Sequence, residues 1–142
     1  MAEVKKTPDQ IAELLKSFDI LPTQQRLKIA GILCAEPCHM SADQVLTAVN
    51  NESDKAVCKA TVYNTLGLFA EKGLIREVIV DNSKLFFDSN VSHHHHFFNV
   101  DTGELMDIAE SELSVSGMPT LPAGTISEGI EVVVRIRNQQ TH

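Results

Sequence analysis

The sequence predicts an α+β chain: an N-terminal winged helix-turn-helix followed by a smaller, strand-rich domain. Three observations carry that expectation. Apolar residues recur at helical spacing through four segments before Gly73. Two short β-prone runs, Leu74 to Val80 and Lys84 to Phe87, flank Asp81-Asn82-Ser83, whose residues favour a tight turn. Beyond the histidine run His93 to His96, the pattern becomes two strands joined at Asp101-Thr102-Gly103.

The first helix starts at a capping box, Thr7 with Gln10 three residues on, and has Pro8 at its first position. Ile11, Leu14, Leu15 and Phe18 form its buried stripe, and Asp19 to Pro22 breaks it. Thr23 can cap a second helix with Leu27, Ala30 and Leu33 on one face, ended by Glu36-Pro37. His39 is expected in the loop before the third helix. Ser41 and Gln44 make a second capping box there, followed by Val45, Leu46 and Val49 until Asn50 to Ser53. A fourth helix runs from about Lys59 to Lys72 and stops at Gly73, with Val62, Leu66, Phe69 and Ala70 buried. The third and fourth helices form the helix-turn-helix, and the hairpin after them forms the wing. Met118 to Gly124 reads as a connector, and Gly129 to Arg137 as one final strand.

With 142 residues, 43% hydrophobic and 22% charged, the composition excludes a disordered or collagen-like chain. No apolar run approaches the roughly 20 residues that cross a bilayer, so no membrane partner is expected. The first residues show no secretory signal, and the three cysteines, Cys34, Cys38 and Cys58, do not make a disulfide framework. A cytoplasmic setting is the expectation. The net charge of −7 is uneven. Residues 1–80 hold nine Lys and Arg against ten Asp and Glu; residues 81–142 hold three against nine. The nearly neutral first half can therefore carry a basic face, and the acidity belongs to the second half.

The exposed face expected of the fourth helix is Lys59, Thr61, Tyr63, Asn64 and Thr65. Such groups bond phosphate oxygens and base edges, and an aromatic ring or a Thr methyl can touch a thymine methyl. The bland alternative is a solvated helix face; the helix-turn-helix context favours DNA. Arg26, Lys28 and Lys84 on the wing are candidate phosphate contacts.

Five of the six histidines are His39 and His93 to His96. Alternate strand residues share a face, so His94 and His96 point together, about 6–7 Å apart. That spacing suits two imidazoles converging on one ion, each about 2.0–2.2 Å from it. Asp88, before the run, and Asp107, on the returning strand, offer carboxylates to the same neighbourhood. Three neutral imidazoles and two carboxylates balance a divalent cation, and mixed nitrogen and oxygen donors without thiolate suit Fe(II), Mn(II), Zn(II) or Co(II). His93 and His95 face the opposite way. A histidine run can also be a solvated tract. An enzyme of the cupin type would need many strands where this chain reads helical, and a metal-storage protein would need no recognition helix.

The runs Ala60 to Leu66 and Leu68 to Ile75, then Phe87-Asp88, His94-x-His96, Gly103 and Asp107, resemble the ferric uptake regulator superfamily, and His39 to Asp43 matches its segment between helices. The resemblance covers nearly the whole chain. It implies a homodimeric, metal-responsive repressor that binds a palindromic operator in double-stranded DNA, rather than an enzyme. It implies a winged-helix domain at residues 1–88, a hinge at 89–92 and a metal-binding α/β dimerisation domain at 93–142. It carries the regulatory metal site onto His39, Asp88, His94, His96 and Asp107, and the recognition-helix aromatic onto Tyr63. A second metal site in the family would fall on His93, His95 and Glu110.

Three departures stand out. Many members hold a structural zinc in two Cys-x-x-Cys pairs; here the first pair's positions read Asn99 and Thr102 and the tail has no cysteine, so no structural zinc is expected. Asn64 stands where the family often has Arg, which bears on the operator sequence. The short C-terminal part and the missing pairs are similar to the haem- and iron-responsive Irr branch. An aspartate at the Asp107 position is associated with peroxide-sensing, PerR-like members. That reading takes Fe(II) or Mn(II) as cofactor, with Zn(II) binding in vitro and haem as the Irr-type alternative. It makes His39 and His94 the ligands open to oxidation.

Overall fold

A computed structural model describes residues 6–34, 38–52, 56–81, 84–89 and 94–140. The chain divides into two compact units, Met1–Val91 and Ser92–His142.

The first unit holds helices α1 (Pro8–Ser17), α2 (Gln24–Cys34), α3 (Ala42–Glu52) and α4 (Lys59–Glu71), with strands β1 (His39–Ser41), β2 (Arg76–Asp81) and β3 (Lys84–Asp88). Both capping boxes form. The Thr7 N–H donates to Gln10 Oε1 at 2.8 Å while Thr7 Oγ1 accepts from the Gln10 N–H at 3.2 Å. Ser41 and Gln44 repeat this at 2.9 and 3.2 Å. Each box satisfies an otherwise orphaned amide and fixes where its helix begins. Asp19 ends α1 with φ +64°, and the next residue, Ile20, closes the turn by bonding the Leu15 carbonyl at 2.9 Å. Gly73, at φ +82°, ends α4 the same way, with the Leu74 N–H on the Phe69 carbonyl.

The helices bury Ile11, Leu15, Ile29, Leu33, Val45, Val49, Val62, Leu66 and Phe69 against one another. The turn between α3 and α4 is tied at its ends: the Val57 N–H donates to Asn50 Oδ1 at 2.7 Å, and Asn50 Nδ2 returns a bond to the Val57 carbonyl. The wing is a three-stranded antiparallel sheet in the order β1-β3-β2.

Four expectations are corrected. His39 lies in a strand, not a loop: β1 is three residues long and exists because β3 supplies its ladder. The first wing strand starts at Arg76, because Leu74 and Ile75 are spent on closing α4 and are buried in the helical core. Thr65 is buried, not exposed, since positions 62, 65, 66 and 69 fall on one helical face. The final strand is β6 (Val133–Ile136), shorter than residues 129–137.

The second unit holds β4 (His95–Asn99), β5 (Leu105–Ile108) and β6 in one sheet of order β5-β4-β6. The β4–β5 pair is antiparallel and β4–β6 parallel. β6 is short because its partner begins only at His95, so the ladder opens at His96 opposite Val133. Asn99 builds the β4–β5 turn: its Oδ1 accepts from the Asp101 and Thr102 N–H groups, and its Nδ2 donates to Asn138 Oδ1 at 2.9 Å. Among the described residues of 109–132 there is no helix or strand. The expected hinge residues 90–92 and the histidine at 93 lie outside the described residues.

Candidate metal centre and nucleic-acid face

In the first unit, the antiparallel β1–β3 register sets His39 directly opposite Asp88. Directly opposed residues carry their side chains on the same face. Imidazole and carboxylate therefore meet, with His39 Nε2 3.2 Å from Asp88 Oδ2. Asp88 is buried, while 18% of the His39 side chain stays exposed. The ladder is closed beside them by Cys38 and Ser89: the Cys38 N–H donates to Ser89 Oγ at 3.1 Å, and the Ser89 N–H to the Cys38 carbonyl at 3.3 Å.

The second unit uses the same device. His96 is directly opposite Asp107 across β4–β5. His94, two residues earlier, comes to the same side, its ring centroid 4.6 Å from that of His96. Asp107 Oδ1 lies 2.7 Å from His94 Nε2 and 3.3 Å from His96 Nε2. Both imidazoles are buried, and the Asp107 side chain is 46% exposed. Two donors each 2.0–2.2 Å from one ion, at right or tetrahedral angles, stand about 2.8–3.6 Å apart. The donor atoms of each unit are thus already spaced close to what neighbouring ligands require. The donor chemistry also fits: imidazole and carboxylate without thiolate suit Fe(II), Mn(II) or Zn(II).

His95 points away from this group. Its Nδ1 accepts from the Val132 N–H at 2.9 Å, which puts the proton of the neutral ring on Nε2. This imidazole thereby fastens the entry to β6. A cavity of about 490 Å³ is bordered by His94, His95 and Glu110, with Leu113, Val115 and Ile130 among its apolar walls.

The cysteines stand apart. Burial, with Cys38 adding to it, pushes the Cys34 thiol up to about 11, so it remains protonated at neutral pH. Cys38 Sγ is 3.3 Å from the Leu33 carbonyl. Cys58, exposed at the N-cap of α4, has its thiol lowered by the Thr61 hydroxyl 3.1 Å away.

On α4, Tyr63 is exposed, and its hydroxyl donates to Asp43 Oδ1 at 3.2 Å. The Lys59 ammonium sits 5.5 Å from the centre of the Tyr63 ring, within cation–π range. Thr61 and Asn64 line an open groove beside the start of α2, along with Arg26, whose Nη1 donates to the Leu21 carbonyl at 3.0 Å. The Lys84 side chain lies outside the described residues. Sequence spacing does not single out Asp43, one acid among ten in its half and twenty residues from its tyrosine.

Comparison with known proteins agrees with this architecture. A description of the ferric uptake regulator family matches residues 19–120. The chain is 28% identical over 100 residues to the peroxide-responsive repressor PerR of Staphylococcus aureus, an overlap of 70% of this chain and 67% of that protein. It superposes on the ferric uptake regulator of Pseudomonas aeruginosa, solved with manganese, with a TM-score of 0.64 at 26% identity, covering 90% of this chain and 97% of the other. The Vibrio cholerae ferric uptake regulator, described as having DNA-binding domains, shares the fold at a TM-score of 0.68 and 20% identity, over 89% and 98% of the two chains.

Proposed function

The chain belongs to the ferric uptake regulator family, and on that premise we propose that it is a metal-dependent repressor that binds a palindromic DNA operator as a homodimer and responds to peroxide or iron. The observation that carries this reading is the repeated pairing of His with Asp across an antiparallel ladder, once in each unit. His39 and Asp88 offer two donors from the winged helix, and His94, His96 and Asp107 offer three from the smaller sheet. Neither set by itself fills the coordination sphere of a divalent ion; together their two carboxylates neutralise it. In this reading all five hold one ion, and holding it favours one orientation of the winged helix over others. A two-fold dimer then sets two recognition helices about 34–36 Å apart, or at a multiple of that distance.

The second unit supplies a surface for self-association. Val115, Met118, Leu121, Ile126 and Ile130 are exposed within a stretch that has no regular structure of its own. Burying such side chains against a second copy is the ordinary use of them. In this reading Tyr63, Asn64, Thr61 and Lys59 face the DNA, with Arg26 toward its phosphates. When Fe(II) is the bound ion it supplies the chemistry by which peroxide oxidises a ligand imidazole, His39 or His94 being the targets in this reading. His95 is assigned to the sheet rather than to a second ion, because its Nδ1 already accepts from Val132. No helix is long and apolar enough to cross a membrane, and the reading places the protein in the cytoplasm with no catalytic role.

The test is operator binding of the full chain to DNA from upstream of its own gene, with and without Mn(II). Metal-dependent binding supports the proposal, and equal affinity in both conditions removes the switch. Peroxide treatment of the Fe(II)-loaded protein should add the mass of one oxygen atom to the peptide holding His39 or His94. One observation favours a second reading, a haem-responsive regulator: the cavity flanked by His94 and His95 has apolar walls suited to a flat, largely apolar ligand. A haem absorption band lost in His94→Ala would select it.

A further inference from the structure

Many members of the family hold a structural zinc in two Cys-x-x-Cys pairs, and the first pair's positions here are Asn99 and Thr102. The residues present do not fit that ion. A closed zinc site takes thiolates and imidazoles, whereas the three cysteines of this chain, Cys34, Cys38 and Cys58, all precede the second unit. The polar atoms at the two positions are also spent within the protein. Asn99 Oδ1 accepts from the Asp101 N–H at 2.9 Å and from the Thr102 N–H at 3.2 Å, and Thr102 Oγ1 accepts from the Glu104 N–H at 3.2 Å.

These groups join two distant stretches of chain. Asn99 Nδ2 donates to Asn138 Oδ1, and the Asn138 N–H donates to Asp101 Oδ2, both at 2.9 Å. Asn138 is thus gripped by side chain and by backbone from one turn, 39 and 37 positions earlier. Asn99 is only 8% exposed, and its carboxamide tolerates burial because both of its ends are bonded. Its backbone closes the turn as well: the Asn99 N–H reaches the Glu104 carbonyl at 2.9 Å, and its own carbonyl accepts from Gly103 at 2.8 Å.

The strand so held needs the help. β6 has four residues and, among the described strands, pairs only with β4, in the parallel sense that is slightly the weaker per residue. At its entry the Val132 N–H is fixed on His95 Nδ1. Just past its exit stands Asn138. Between them the His96 N–H bonds the Val132 carbonyl at 3.1 Å and the Val100 N–H bonds the Ile136 carbonyl at 2.9 Å. Side chains therefore pin β6 at both ends.

From this we infer that the second unit is closed by a side-chain clasp, Asn99 and Asp101 on Asn138, where other members of the family use an ion. The clasp does not depend on the regulatory reading above, but it has a consequence for it. Removing every metal empties the five-ligand centre and leaves folded the sheet that carries His94, His96 and Asp107. A fresh ion then resets the switch without refolding.

The test is amide hydrogen exchange by NMR on the full chain after exhaustive chelation, with elemental analysis confirming that no metal remains. The reporters are the Val100 N–H, which bonds β6, and the Asn138 N–H, which bonds Asp101. In the metal-free wild type both should exchange at least about tenfold more slowly than in an unstructured peptide. Asn138→Ala, at an exposed position, removes the Asn99 bond and should speed Val100 exchange about fivefold. Asp101→Ala removes an anionic acceptor and should speed Asn138 exchange at least about tenfold, and Asp101→Asn, which keeps an oxygen there, should recover most of the protection. The Ile20 and Leu74 amides, which close α1 and α4, should be unchanged throughout and show that the first unit stays folded. If chelation alone brings Val100 and Asn138 to the unstructured rate, an ion closes the unit and the clasp is overturned. It is equally overturned if Asn138→Ala and Asp101→Ala both exchange as slowly as the wild type.

Discussion

Replacing His39 by Ala is the perturbation that most cleanly separates holding a metal from using it. A metal-bound imidazole is neutral, so His39→Ala leaves the charge of the proposed five-ligand set unchanged, and Asp107 Oδ1 keeps its distances of 2.7 Å to His94 Nε2 and 3.3 Å to His96 Nε2. A residual Mn(II) site therefore persists in the second unit. Outer-shell partners of metal ligands are worth about 10–100-fold in affinity, so loss of a direct ligand should cost at least about 100-fold. The larger effect falls on DNA binding. Coupling between two sites commonly amounts to about 5–150-fold; the metal-linked gain in operator affinity should lie in that range for the wild type and collapse to about onefold in the variant, even at saturating Mn(II). Asp88→Asn should reduce metal affinity further, because it replaces an anionic donor with a weaker, neutral amide oxygen and leaves the ion's charge uncompensated. The assay is an anisotropy titration of operator DNA at fixed, saturating Mn(II), beside a calorimetric titration of the metal. A His39→Ala protein that keeps the full metal-linked gain would refute the reasoning, since an ion held without His39 would then be doing the switching.

Four other outcomes are expected. Asp43→Asn removes an anion from the DNA-facing side and weakens the bond that holds the Tyr63 hydroxyl, so affinity for operator and scrambled DNA should rise a few-fold by anisotropy, and unchanged affinity would show that the contact has no bearing on binding. Cys58 should be alkylated by iodoacetamide before Cys34 at pH 8, because its thiol is lowered by Thr61 while that of Cys34 is raised from 9.0 to about 11; Thr61→Val should slow the Cys58 reaction. For Cys34 the folded value lies above the unfolded one, so its contribution to stability is complete below pH 9 and is lost as pH rises toward 11, and thermal melts of wild type against Cys34→Ala should show that loss only in the wild type. Leu66→Ala, at a fully buried position of α4, should cost about 2–5 kcal/mol in urea unfolding.

Much of the first unit was legible because its signals are local. Thr7 with Gln10 and Ser41 with Gln44 announce helix starts through bonds only three residues long. Gly73 announces an end, since it supplies the positive φ that closes α4. The apolar spacing of Val62, Leu66 and Phe69 gives the buried face directly, but it leaves Thr65 ambiguous, and polarity alone misassigns it to the exposed side.

Non-local pairing is where sequence reasoning ran out. β1 is too short to show alternation, and His39 becomes a strand residue only through a register with Asp88, 49 positions along the chain. The span of β6 is set by the length of β4 rather than by its own apolar run. The histidine face was readable because alternation places His94 and His96 together whatever the partner strand, and because Asp107 follows a tight turn. The Tyr63–Asp43 bond and the groove lined by Thr61 and Asn64 depend on how α2, α3 and α4 pack, and no periodicity encodes that.

The most direct measurement is a crystal structure of the Mn(II)-loaded protein with the ion located by anomalous scattering. The account predicts one ion in contact with His39 and Asp88 as well as His94, His96 and Asp107. An ion bound by the second unit's donors, with His39 remote from it in every copy, would contradict it.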